Sequence, residues 1–92
     1  MRLAELNPEF VRGEGERGYL SIDCPKCRAH RIPIPTLDSG QRDGAVKRWG
    51  LKGNPPDWDS VSIVPSVGYA ARADEPEGTE HCHFTITNGE VA

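Results

Sequence analysis

Proline and glycine punctuate this chain too densely for long regular elements: 10 Gly and 8 Pro fall among 92 residues. Such spacing breaks helical periodicity and suits short strands joined by turns, so a helical bundle is excluded. The length allows one small domain over residues 1–92. Only two each of Trp, Tyr and Phe are present and 36% of residues are hydrophobic. A core this thin needs a disulfide, a metal or a partner.

The three cysteines are the obvious source of that help. An odd count argues against a closed disulfide framework. Met1-Arg2-Leu3-Ala4-Glu5 has no apolar run of a secretory leader, and no stretch approaches the roughly 18 apolar residues of a membrane span. The expectation is a cytoplasmic protein of a bacterial cell, where thiols stay reduced and clustered cysteines hold metal.

Cys24-Pro25-Lys26-Cys27 has the spacing that lets two thiolates reach one tetrahedral ion. A second group, His81-Cys82-His83, lies more than fifty residues away. Two ligands from each end make the arithmetic of one structural zinc, with iron as the other metal that such donors accept. In a regular strand Cys82 points to one face and His81 and His83 to the other. Cys82 and His83 therefore share an ion only if the strand bends or starts there, and His30 and His81 are reserve ligands. A redox dithiol is disfavoured because no βαβ pattern surrounds the pair.

The alternation of residues predicts a mainly β fold, a small antiparallel sheet of short hairpins around one zinc knuckle with little or no helix. Leu3 and Leu6 suit a short helical turn that Asn7-Pro8 ends, within a segment 1–17 expected to attach loosely. Tyr19–Asp23 alternates as a strand leading into Cys24. His30–Pro35 reads as an edge or extended segment because of Pro33 and Pro35. Ala45–Leu51 is a strand candidate around Val46 and Trp49, with Trp58 packing back on Trp49. Val61, Ile63 and Val67 make another, interrupted by Pro65-Ser66. Residues 70–80 form an acidic loop. Cys82–Thr87 places Cys82, Phe84 and Ile86 on one face, and Asn88-Gly89 is a hairpin signal leading to Glu90-Val91.

Charge is bipolar. Residues 26–52 hold seven of the eleven Lys and Arg against Asp38 and Asp43, about +5 on ordinary side-chain charges, and the rest of the chain sums to about −8. Arg28, Arg31, Lys47, Arg48 and Lys52, with Trp49 among them, are the candidate contacts for a partner or for nucleic acid. The alternative is a solvated face balanced by the chain's own acidic loop.

The order Cys24-Pro25-Lys26-Cys27, His30, Trp49, Asn54, Val61–Ser66 and Cys82–Val91 resembles a family of small uncharacterised proteins encoded mainly by bacteriophages and prophages. The resemblance covers residues 19–91 and implies zinc at Cys24, Cys27, Cys82 and His83. Relatives often carry Gly after the knuckle where this chain has Arg28, which implies a strained or reshaped turn. The function implied is a phage-type accessory module that binds a host or phage protein. A nucleic-acid-binding zinc ribbon using the basic segment is the alternative.

No catalytic residue is expected. A shell of Cys24, Cys27, Cys82 and His83 is closed and electron-rich, a poor Lewis acid. A zinc-dependent hydrolase would need an open metal position with Asp23, Glu80 or His81 as proton acceptor. The chain has no Gly-rich phosphate loop, nucleophile elbow or H-E-x-x-H motif.

Overall fold

The computed structural model describes residues 1–38, 48–70 and 80–92. Arg42, Lys47, the first part of the expected 45–51 strand and most of the acidic 70–80 segment lie outside them. Seven strands form one sheet: β1 (Glu9–Arg12), β2 (Arg17–Asp23), β3 (Arg31–Leu37), β4 (Trp49–Lys52), β5 (Ser62–Ala70), β6 (Glu80–Thr87) and β7 (Glu90–Val91). Their order in space follows their order in the chain. Every pairing is antiparallel except β3–β4, a short parallel contact at Thr36–Trp49 and Leu37–Gly50. The sheet curls into a half-barrel. Helix is confined, among the described residues, to two short 3-10 turns, Leu3–Leu6 and Trp58–Ser60, so the mainly β architecture expected from the residue pattern is the observed one.

Alternation explains most of the core. Leu20 and Ile22 of β2, Ile32 and Ile34 of β3, Ile63 and Val67 of β5, and Phe84 and Ile86 of β6 face one buried cluster. Trp49 and Trp58 are half-buried against its margin. Pro33 and Pro35 are accommodated because β3 pairs along residues 31–37 with β2 but meets β4 only at Thr36 and Leu37. The missing proline N–H groups fall where no second strand needs them.

The first residues are docked rather than loose. Leu3 and Leu6 are fully buried, each burial contributing about 1.5–3 kcal/mol before entropy is charged against it. The Leu3 N–H donates to the Gly89 carbonyl (2.7 Å) and the Val91 N–H to the Met1 carbonyl (2.8 Å), while the Arg2 side chain reaches Glu90 and Asp59. The Asn88-Gly89 turn has φ of 45° and 76°, the left-handed pair that a tight hairpin requires.

Candidate active site and metal centre

Beyond β2 the chain makes a knuckle. The Arg28 N–H donates to the Cys24 carbonyl and the Cys24 N–H to the His30 carbonyl, both at 2.9 Å. Arg28 takes φ of 60°, so the turn keeps the left-handed shape that glycine adopts without a steric cost. The Ala29 N–H points at Cys27 Sγ (3.4 Å), and His30 Nδ1 lies 3.2 Å from the same sulfur.

The fourth donor comes from a bulge in β6. Tyr69 of β5 pairs with Cys82, but the next residue, Ala70, pairs with Glu80, leaving His81 as the extra residue on β6. A bulge re-aims the side chain it carries. His81 is turned inward and is 6% exposed, with its ring 4.9 Å from that of His30. The donor atoms of Cys24, Cys27, His30 and His81 all lie within 4.8 Å of one another. Two thiols and two imidazoles at that spacing fit a metal ion held by four protein ligands.

Cys82 and His83 stand differently. Cys82 Sγ lies 3.8 Å from Cys24 Sγ. Burial, its hydrogen bond with Cys24 and the negative charge of the neighbouring sulfurs push its thiol up to about 12. Burial pushes the Cys24 thiol up too, but hydrogen bonds from the backbone of Cys27 and Lys26 and from the Cys27 and Cys82 side chains outweigh it, and Cys24 sits below its ordinary value. His83, beyond the bulge, faces outward, and its Nε2 lies 2.7 Å from Ser66 Oγ.

Ser66 reaches that position through a second irregularity. Between Ile63 and Val67, β5 advances four residues while its partner moves two, from Ile86 to Phe84. The surplus falls within Val64-Pro65-Ser66, where Val64 still pairs with Gly50 of β4 while the register against β6 slips. The Trp49 indole N–H donates to the Ser66 carbonyl (3.1 Å) and ties the slipped segment to β4. The other described serines serve local structure: Ser21 accepts from Arg31, Ser60 donates to the Asp57 carbonyl, and Ser62 accepts from the Asn88 N–H. Among the described serines, Ser66 alone meets a histidine. The Pro65-Ser66 interruption opposite a His-Cys-His run is the sequence signal that could have revealed it.

The expected cationic contacts are largely turned to structural ends. Arg31 bonds Asp23 (2.9 Å), Ser21 and the Asn7 carbonyl, and Arg48 bonds the Gly18 and Thr36 carbonyls and stacks on Tyr19. Arg28 approaches Met1 Sδ, and Lys52 is exposed at the end of β4. Asp23, the acid considered for a metal hydrolase, has its carboxyl held below the ordinary value by the hydrogen bonds from Arg31 and then Asn7.

A solvent-accessible serine hydroxyl against a histidine ring nitrogen is the constellation of serine-type hydrolases. The model of a family described as a bacterial ubiquitination-like system serine protease (BubE) matches residues 2–92, and the chain belongs to that family. No curated protein and no solved structure matches it. This membership overturns the resemblance to phage-encoded proteins. It also replaces the accessory, nucleic-acid-binding and metal-hydrolase readings, and the expectation of a non-enzyme, with a family of serine proteases. The pair escaped the sequence because its members are 17 residues apart on different strands and carry no elbow motif around the serine. No helix among the described residues is long and apolar enough to cross a membrane.

Proposed function

We propose that this chain is a serine-type peptidase with Ser66 as nucleophile and His83 as general base, stabilised by one structural zinc at Cys24, Cys27, His30 and His81. The contact between His83 Nε2 and Ser66 Oγ carries the reading. In the neutral ring, Nε2 accepts the serine proton as Oγ attacks the scissile carbonyl. The resulting imidazolium returns that proton to the leaving amine, the C–N bond breaks, and an acyl group remains on Ser66. Water, deprotonated by the same nitrogen, attacks the acyl carbonyl and releases the acid, restoring the hydroxyl. Trp49 fixes the Ser66 backbone during both steps. The family's description as a serine protease of a bacterial ubiquitination-like system supports a polypeptide of such a system as substrate and protein partner.

Zinc suits the two-thiol, two-imidazole donor set. Held by these four side chains, the ion would be structural: it would fix the knuckle against β6 and thereby set His83, two residues from His81. Reactive thiol ligands of this kind suit a reducing compartment.

The test is labelling with a fluorophosphonate probe, with the modified residue located by peptide mass spectrometry. The expected result is one label at Ser66, lost in Ser66→Ala and slowed about 10²–10⁴-fold in His83→Ala, with the circular dichroism of both variants unchanged. A folded protein that takes no label at Ser66 would refute the assignment.

A further inference from the structure

A cleft of about 360 Å³ opens beside His83, lined by Met1, Pro25, Lys26, His83, Phe84 and Val91 among others. Its walls come from three places: the cysteine knuckle, β6 and the β7 edge. His83 belongs both to this cleft and to the pair with Ser66, so a group filling the cleft sits one side chain away from the serine. We propose that the cleft is the substrate subsite adjoining the scissile bond, that it receives an apolar side chain of the cleaved polypeptide, and that Lys26 favours an acidic residue beside it. This rests on the serine peptidase reading above.

The walls decide the chemistry. Met1 and Pro25 present carbon surface, the largely buried Phe84 and Val91 back it, and a side chain entering there leaves water for an apolar lining. Lys26 is the one lysine or arginine in that lining. A carboxylate on the substrate meets an opposite charge there, and a cationic residue meets a like one. The knuckle carries Pro25 and Lys26 between its two cysteines, so the metal centre also shapes one wall of the subsite.

A synthetic peptide library, varied in turn on both sides of the cleaved bond and read by mass spectrometry, tests the proposal on the metal-loaded protein. One position adjoining the bond should favour Leu, Met or Phe over Gly by at least about tenfold, the discrimination an apolar pocket can deliver. Ala92→Trp, at an exposed residue of the rim, should raise KM for those peptides at least about fivefold while the rate of fluorophosphonate labelling at Ser66 stays unchanged. Lys26→Glu, with metal content verified, should invert the preference between acidic and basic residues at the neighbouring position. A labelled Ser66 with a flat profile, with no peptide cleaved, or with a profile that neither variant alters would overturn the subsite. Loss of the label itself would overturn the Ser66–His83 pair instead, and the subsite with it.

Discussion

Cys82 sits between two histidines that face opposite ways, and the three side chains have separate work. His81 is turned inward toward the knuckle, Cys82 touches Cys24, and His83 meets Ser66 on the outer face. The geometry predicts that Cys82→Ser keeps one metal ion per chain, whereas His81→Ala and His30→Ala lose it. Native mass spectrometry against denaturing mass spectrometry reads this directly. Metal lost from Cys82→Ser and kept by His81→Ala would show that the sulfur, and not the ring, is the fourth donor. His83→Ala should also keep its metal, because that ring points away from the cluster.

Two irregular strands build the candidate site, and both irregularities lie where β5 meets β6. β5 slips register against β6 around Pro65, next to Ser66; the β6 bulge turns His81 inward and leaves the His83 ring against the serine hydroxyl. Trp49 is the brace that β4 supplies to this arrangement. Trp49→Phe keeps an aromatic ring but removes the N–H and part of the indole's bulk, and loss of the hydrogen bond should cost about 0.5–1.5 kcal/mol of stability. Its functional effect should appear in kcat with little change in KM, because the carbonyl it holds belongs to the nucleophile's own residue. Urea unfolding and steady-state kinetics on one peptide check the two parts. An unchanged kcat would remove Trp49 from the positioning of Ser66. The regular strands were legible because alternation of Leu20 with Ile22, or of Phe84 with Ile86, survives in the linear pattern. Bulges were not legible, because an extra residue leaves the flanking alternation intact and only shifts its phase. That is why the residue pattern offered Cys82 and His83 beside Cys24 and Cys27 as donors and held His30 and His81 in reserve, whereas the cluster in the fold is Cys24, Cys27, His30 and His81. Pro65-Ser66 read as an interruption of a strand; β5 instead runs through it from Ser62 to Ala70 and takes up the irregularity as a register shift against β6.

At the scale of the molecule, the knuckle between β2 and β3 and the bulge in β6 are far apart along the sheet and are brought together by its curl. A metal ion there joins two distant parts of one surface. Chelation should therefore loosen the whole half-barrel and displace His83. At a free metal concentration 100 times its Kd, binding contributes about 2.7 kcal/mol, which at about 4–8 °C per kcal/mol for a domain of this size corresponds to a fall in Tm of about 11–22 °C. Calorimetry before and after chelator, with fluorophosphonate labelling in parallel, measures both consequences; an unchanged Tm would deny the ion any role in holding the fold. The sequential strand order carries a further consequence for the chain during synthesis. Each strand pairs with the one before it, so the sheet can be laid down from β1 onward, while the docking of Met1 and Leu3 waits for Gly89 and Val91. Cys24, Cys27 and His30 leave the ribosome together, and the fourth donor follows 51 residues later, at position 81. Under the proposed assignment the general base, His83, comes two residues after that, so a peptidase wired in this order gains its metal clamp and its base almost together, long after the knuckle is made.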